Sequence, residues 1–453
     1  MSQHPIQADS SPDGRGPLPV HDDPELFPVY VATRRVGAAG RTLVGLKTTG
    51  LDVHFSDEQI LHYDLTGRLL RIAEPYCQWR RGLSGRMLEV RRVPAEQGGR
   101  LERRMIDPAE VDQRLDGAAQ RLRAEVGDPC EGRDAAEVRE CVTDADRFTA
   151  VLMRAAAFDA VRAQADVSQF RALYHDVPVL PPDQYTALVL AATDGCRYNQ
   201  CTFCGLYRDV RFRRRTVSEF RDHVRAALEY HGASLALRRT VFLGQADALL
   251  GPRDWREELL RVVQEFCQFP PPDQPRGAAS WWRGSETRFS GITSFLDAFA
   301  GQRISAAEFA AMRELQLRQV FVGMESGSTA LLRWLRKPST AEETLAAVQA
   351  AKQGGVRVGV IVLVGAGGEP FFDEHVRETI GVIRAMRLEP GDYVYLSPLV
   401  AAHGAEYTEI AAADGIAPLS PARLAVQESL LRAGVRQPQG PYVAHYEVDD
   451  FVY

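Results

Sequence analysis

Ala187-Leu188-Val189-Leu190-Ala191-Ala192-Thr193-Asp194-Gly195-Cys196-Arg197-Tyr198-Asn199-Gln200-Cys201-Thr202-Phe203-Cys204-Gly205 sets the architecture of this chain. Residues 187–192 are an uninterrupted apolar run, the pattern of a strand buried on both faces, and the three cysteines follow as a loop at its C-terminal end. The same rhythm repeats downstream. Thr216-Val217-Ser218-Glu219 is a capping box that opens a helix to about Tyr230, and 240–244 is a second strand. A helix over 255–266, a strand within 290–295, a helix capped at Ser305 and a strand over 319–324 come next. Ser339-Thr340-Ala341-Glu342 opens a further helix that Gly354-Gly355 stops; 357–364, 371–386 and 393–396 complete the series as strand, helix and strand. Six such alternations imply parallel strands joined by right-handed crossovers, an α/β sheet or barrel whose functional loops gather at the C-terminal strand ends.

Upstream the pattern differs. Short apolar runs at 28–32, 43–46, 51–55, 69–72 and 87–93, separated by breaks such as Gly37–Gly40 and Thr49-Gly50, predict a small, mostly antiparallel β unit. Residues 107–174 carry helical spacing. The expected organisation is a disordered tail over 1–26, an N-terminal α+β domain over 27–180, an α/β core over 181–400 with a loop insertion at 269–285, and a C-terminal extension over 401–453. Asp52-Val53-His54-Phe55-Ser56-Asp57 begins like the cobalamin-binding D-x-H-x-x-G motif, but Asp57 stands where glycine is required. His54 is therefore read as a half-exposed histidine on a strand. Cys77, Cys130 and Cys141 match no metal spacing and are read as ordinary core or surface residues, a second cluster made from them and Cys267 being the alternative.

The 453 residues are 45% hydrophobic and 25% charged, the balance of a soluble globular chain, and the net charge of −6 argues against a general nucleic-acid surface. No apolar run reaches the roughly 18 residues of a membrane span. The Pro-, Ser- and Asp-rich start lacks the apolar region of a secretory signal, and seven cysteines, three of them crowded, fit reduced thiols in the cytoplasm better than a disulfide framework.

Three soft thiolates delivered to one point suit an iron–sulfur cluster or zinc. Structural zinc needs a fourth protein ligand, and the next candidates, His223, His231 and Cys267, are not placed to supply one. A three-thiolate site leaves one iron of a [4Fe-4S] cluster open to an external ligand. The loop resembles the signature of the radical S-adenosylmethionine (SAM) enzymes, C-x3-C-x2-C with an aromatic residue before the last cysteine; Phe203 holds that position, while Cys196 to Cys201 departs as C-x4-C. The resemblance implies a partial (β/α)6 barrel of TIM type, a [4Fe-4S] cluster on Cys196, Cys201 and Cys204, and SAM chelating the fourth iron. It further implies reductive cleavage of SAM to a 5′-deoxyadenosyl radical, an electron donor of flavodoxin or ferredoxin type, and an unidentified substrate. The alternative is a non-catalytic iron–sulfur or zinc protein using the barrel to bind a partner.

Further matches lie at later strand ends. Gly244-Gln245-Ala246-Asp247 takes the place of the family's Gly-Gly-Glu stretch, making Gly244, Gln245 and Asp247 candidates to meet SAM's amino group. Gly323-Met324-Glu325-Ser326-Gly327-Ser328 resembles the G-x-E-S-G segment of the coproporphyrinogen-oxidase-like and methylthiotransferase-like branches, which marks Glu325 and Ser326; a helix-capping turn is its plainer reading. Gly365 and Gly367, in Val364-Gly365-Ala366-Gly367-Gly368-Glu369, resemble the family's glycine-rich turn against adenine and ribose. Arg208, Arg211 and Arg213–Arg215 are read mostly as a solvated face, with a SAM carboxylate or an acidic electron donor as the functional alternative. The resemblance covers about 185–399.

Overall fold

A computed structural model describes residues 32–36, 42–94, 99–126, 145–246, 248–270, 289–298, 304–400 and 405–453. The tail over 1–26, the Gly37–Gly40 break, Cys130, Cys141, Asp247 and most of the 269–285 insertion lie outside them.

The front part is an eight-stranded antiparallel meander in chain order: β1 (Ala32–Val36), β2 (Thr42–Leu46), β3 (Gly50–His54), β4 (Ile60–Asp64), β5 (Leu69–Glu74), β6 (Cys77–Arg81), β7 (Met87–Arg92) and β8 (Leu101–Met105). Helices α1 (Pro108–Val126), α2 (Ala145–Ala156) and α3 (Ala160–Tyr174) follow. One sheet face, carrying Val53, Leu61, Ile72 and Trp79, packs on Leu115, Leu122, Val151 and Phe158 from the helices and their connections. β6 and β8 escape the apolar-run reading because charged residues interrupt them, and β4 because His62 breaks its short run of apolar residues before Asp64 ends it. Asp52 and His62 are cross-strand partners on the other face, hydrogen-bonded at 2.8 Å, and Glu89 faces Arg104 across β7 and β8 with an ion pair of 2.6 Å; such pairs favour strand pairing without hydrophobicity, whereas the like charges of Arg71 and Arg80, also directly opposed, work against it. His54 is half-buried on β3.

The remainder is a partial barrel of seven parallel strands, ordered β9 (Leu188–Ala191), β12 (Val241–Gly244), β13 (Ile292–Phe295), β14 (Leu317–Glu325), β15 (Arg357–Val364), β16 (Tyr393–Pro398) and β17 (Tyr442–His445). A two-stranded ribbon, β10 (Thr193–Asp194) with β11 (Arg213–Arg214), brackets the cysteine loop. The interleaved helices are α4 (Val217–His231), α5 (Arg253–Phe266), α6 (Ala306–Glu314), α7 (Thr329–Trp334), α8 (Ala341–Gln353) and α9 (Gly368–Ala385), with α10 (Ala405–Ala413) and α11 (Pro421–Val435) beyond β16. Capping boxes form at Thr216 with Glu219 and Ser305 with Glu308; at α8 the cap is Thr340 with Glu343. The six expected strands lie at their predicted places. The seventh, β17, was not anticipated: it is four residues long and partly exposed, with no apolar run to announce it.

From β17 the chain returns to the opposite edge strand, where the Tyr453 hydroxyl accepts from Val189 N–H at 3.1 Å and donates to the Ala187 carbonyl at 3.1 Å. The meander docks through a buried charge group. Arg68 donates to Asp166 at 2.7 Å and to the Tyr230 carbonyl of α4 at 2.9 Å, while Arg81, almost fully buried, lies 3.5 Å from the same aspartate. Removing one partner from such a group strands the others in low dielectric. Asp166→Ala is expected to cost about 3–5 kcal/mol, seen as a lower urea midpoint; a change within about 0.5 kcal/mol, the usual range for surface sites, would show the group is not a structural joint.

Candidate active site

The cysteine loop begins where β9 ends, and its base is clamped. Gly195 N–H donates to Gln245 Oε1 at 3.0 Å, and Gln245 Nε2 donates to the Asp176 carbonyl at 2.8 Å. Asp194 pairs with Arg213 at 3.0 Å and Arg215 at 2.9 Å, tying the two ends of the loop through the β10–β11 ribbon. Within the loop, Asn199 adopts left-handed backbone (φ 49°), its side chain donating to the Tyr207 carbonyl at 2.7 Å. Asparagine tolerates this conformation better than most residues, so the longer C-x4-C separation closes through one compact turn. Arg208 donates to the carbonyls of Asn199 and Cys201 at 2.6 and 2.9 Å. Thr202 N–H donates to the Leu335 carbonyl, and the Thr202 carbonyl accepts from Tyr407 N–H. Most of the arginine run is thus committed to holding the loop; Arg211 is exposed.

Cys196, Cys201 and Cys204 all face one cavity of about 220 Å³ at the C-terminal end of the barrel, together with Phe203 and Glu325. Its other walls are largely apolar, with Phe295, Leu296, Phe321, Ile361, Leu363 and Val400 contributing. Burial pushes the Cys201 thiol up to about 12 and raises that of Cys204, so neither is a thiolate at neutral pH unless a metal takes the proton's place. Among the described residues no three His, Cys, Asp or Glu side chains meet closely enough to hold a single ion. A zinc ion would need all its thiolates within about 2.3 Å of one point. A cluster spreads them over separate irons, and three thiols around one cavity with no further cysteine or histidine among the described residues of its lining fit that donor set.

On the same wall the Lys337 ammonium lies 3.0 Å from Glu325 Oε1, each side chain 9% exposed. Burial alone would lower the lysine; the negative charges of Glu325 and Asp297 outweigh it and hold the group well above its usual range. Glu325 takes left-handed backbone (φ 63°) at a bulge in β14, and its carboxylate lies over Gly323, where a Cβ would collide with it. Lys337 and Asp297 were not identified from sequence. A signal was present: only three lysines, Lys47, Lys337 and Lys352, stand among 54 basic residues. Each pairs with a buried carboxylate, Asp52, Glu325 and Asp392 respectively. A compact ammonium fits where a guanidinium fork does not.

The other sequence candidates shape the cavity from behind. Gly244 is buried at the end of β12 and Gln245 is the loop clamp. The Ser326 hydroxyl donates to His375 Nδ1 at 2.8 Å, while His375 Nε2–H donates to the Leu363 carbonyl at 2.9 Å. Ser328 caps α7, its hydroxyl accepting from Leu331 N–H, so the capping reading holds for Ser328 and not for Ser326, whose hydroxyl is given to His375. Gly365 N–H donates to Gln427 Oε1 at 2.7 Å and Gly367 N–H to the Tyr407 hydroxyl at 2.9 Å; α10 and α11 cover this turn.

Residues 190–382 match the model of the radical SAM superfamily. They form a radical SAM domain. The match runs from β9 through most of α9 and includes all three cysteines, Glu325 and Lys337. No curated protein matches the chain. Similar solved structures include the cobalamin-dependent S-adenosylmethionine radical enzyme OxsB (14% identity, 50% of this chain and 28% of that one, TM-score 0.33). Others are the radical S-adenosylmethionine methyltransferase TsrM from Kitasatospora setae (18%, 52% and 41%, 0.35) and coproporphyrinogen III oxidase, HemN, from Escherichia coli (15%, 59% and 56%, 0.37). The aligned part is less than two thirds of each of these chains.

Two outcomes are expected. Asn199→Val should cost about 1–2 kcal/mol more than Asn199→Gly, read by thermal unfolding; equal losses would mean that the left-handed turn does not carry the loop. Acid should also loosen the site. Burial holds His375 down at about 4 and His223, whose Nε2 accepts Ala191 N–H at 2.9 Å in β9, down at about 3. Folded values below the unfolded one mean that the stabilisation is full above about pH 6.5 and is lost as pH falls. Between pH 6.5 and 4.5 stability should fall by up to about 1.4 kcal/mol per unit per histidine, and His223→Asn should flatten the slope measured by denaturant titration.

Proposed function

We propose that Cys196, Cys201 and Cys204 hold a [4Fe-4S] cluster with which the chain cleaves SAM reductively and begins radical chemistry on a substrate, as yet unidentified, in the same cavity. The observation that carries this reading is the meeting of three thiols and a buried Glu325–Lys337 pair on one apolar-walled cavity inside the radical SAM domain. When bound, the cluster supplies the electron that breaks a sulfonium carbon–sulfur bond of SAM, and its three-thiolate attachment leaves one iron for SAM's amino and carboxylate groups.

The chain's own residues bind, orient and shield. Lys337 presents a permanent positive charge for a carboxylate, and Glu325 with Asp297 presents negative charge for an ammonium, the complement of an amino-acid moiety. Phe203, beside the last cysteine, packs against the Leu331, Leu335 and Tyr407 cluster and fixes the loop's inner face. Phe295, Phe321 and Ile361 exclude water, which keeps a reactive intermediate away from bulk solvent. Gly244, Gln245, Ser326, Gly365 and Gly367 set the positions of the loops around the cofactor. An acidic low-potential donor of flavodoxin or ferredoxin type would meet the exposed Arg211 side of the loop. In this reading residues 27–180 are a separate α+β domain beside the catalytic barrel.

Anaerobic reconstitution with iron and sulfide, followed by dithionite and SAM, tests the reading. A brown [4Fe-4S] absorption and release of 5′-deoxyadenosine or another SAM fragment are expected, with Cys204→Ala at background. A chain that takes up no cluster and leaves SAM intact would instead be a non-catalytic scaffold, and undiminished cleavage in Cys204→Ala would overturn the ligand assignment.

A further inference from the structure

Helix α11 reverses the usual order of a surface helix. Beyond the proline that opens it, its exposed positions are Ala422, Ala425, Val426, Ser429, Leu430 and Ala433, spaced as one stripe along the helix. Val426 and Leu430 stand 44% and 46% exposed in it. The charges of α11 lie half-buried at its flanks instead: Arg423 against Glu369 at 2.7 Å, Glu428 beside His445 at 3.3 Å, and Arg432 on the Val443 carbonyl at 2.9 Å. On α5, by contrast, every exposed position is charged: Arg253, Asp254, Arg261 and Glu265. An uncharged, partly apolar outer stripe is the pattern of a covered helix face.

The neighbouring α9 supplies an independent sign. It runs alongside α11 in the same direction: Glu369 in its first turn meets Arg423 in that of α11, and Arg384 in its last turn donates to the Gly434 carbonyl at 2.9 Å. Gly381 is exposed in its second half, and a Cβ there would meet no described atom beyond its own helix within 4 Å. Packing inside the chain therefore does not call for glycine, which costs a helix interior about 1 kcal/mol against alanine. A surface approaching closely from outside gives it a use.

The stripe is complementary to itself. Its positions are symmetric about the point between Gln427 and Glu428, so a two-fold axis there lays α11 antiparallel on the α11 of a second copy. Ala425 then faces Leu430 of the second copy, Val426 faces Ser429, and Ala422 faces Ala433. Each large side chain meets a small one, as interdigitated helix packing requires. The same axis lays α9 antiparallel on its own copy. Glu369 and Asp373 are exposed at the start of α9 and Arg384 with Arg387 at its end, so unlike charges meet across the axis. Arg423 takes up part of that acidity through Glu369, and Arg377 at the centre is paired with Glu378 at 3.2 Å. A standard interface buries about 800 Å² per partner, whereas the α11 stripe is only about 17 Å long at the helical rise. Both helices are therefore needed, and the association is a reversible one.

We infer that the outer faces of α9 and α11 join two copies of this chain in a two-fold symmetric, reversible homodimer, with α11 packed antiparallel on α11. Sedimentation velocity of the full chain over a concentration series tests this. A monomer–dimer equilibrium with a dissociation constant in the micromolar range is expected. Val426→Glu/Leu430→Glu, at two exposed positions, should keep the far-ultraviolet circular dichroism and thermal midpoint of the parent and sediment as a monomer at every concentration. Asp373→Arg and Arg384→Asp should each weaken the dimer a few-fold, the effect of an exposed ion pair, and the two together should restore it, because each copy then presents ends of reversed sign. A parent chain that stays monomeric throughout overturns the inference, as does a Val426→Glu/Leu430→Glu variant that still dimerises. Should that variant lose its fold, the charge reversal decides: a double variant no tighter than the single ones rejects the antiparallel pairing.

Discussion

The hydrogen bond from Gly195 N–H to Gln245 Oε1, with the two ion pairs of Asp194, fixes where the cysteine loop leaves the barrel. All else at the site depends on that departure point. A loop holding three thiols has many conformations, and a cluster ligand set needs one; the entropy of ordering it is met by contacts made at its base and along its length. Gln245 reaches the loop from β12, Arg208 ties two of its carbonyls, and Thr202 joins it to α7 and α10. The loop is thus held from within by Arg208 and from outside by three elements that are distant in sequence, which lets a flexible-looking segment act as a rigid one.

Charge buried next to the thiols is the second constraint. Lys337 and Glu325 are costly to desolvate separately and tolerable together, and Gly323 supplies the bare backbone over which the pair fits. Their polarity inside apolar walls creates the few directional contacts that orient a zwitterionic ligand. The same pairing of a scarce lysine with a buried carboxylate recurs at Asp52 and Asp392, far from the cavity. Lysine in this chain therefore marks burial of charge as much as it marks catalysis.

Strand and helix positions in the barrel were legible because burial on both faces forces continuous apolar runs, and because capping boxes mark helix starts. Arg357–Val364 falls where its apolar run places it. The meander was only partly legible: β4 and β8 are held by cross-strand charge, charged residues interrupt β6, and only one face of the sheet packs on the helices, which weakens any periodic signal. The three cysteines and Phe203 were visible as a local motif. Ser326, Gly365 and Gly367 were visible too, but their polar groups are met by His375, Gln427 and Tyr407, partners between 40 and 62 residues away that no local pattern reveals.

By itself the sequence determined the parallel α/β core, the placement of three soft ligands at a strand end, and the absence of a nearby fourth, because these rest on short-range periodicity and on donor chemistry. Only the tertiary structure decided that Lys337 and Asp297 share the thiols' cavity, that Asn199 absorbs the longer cysteine spacing, and that Tyr453 returns to the first barrel strand. Those outcomes depend on contacts between residues far apart in the chain, where the free energy comes from the matching of two surfaces. No local stretch of sequence carries that information.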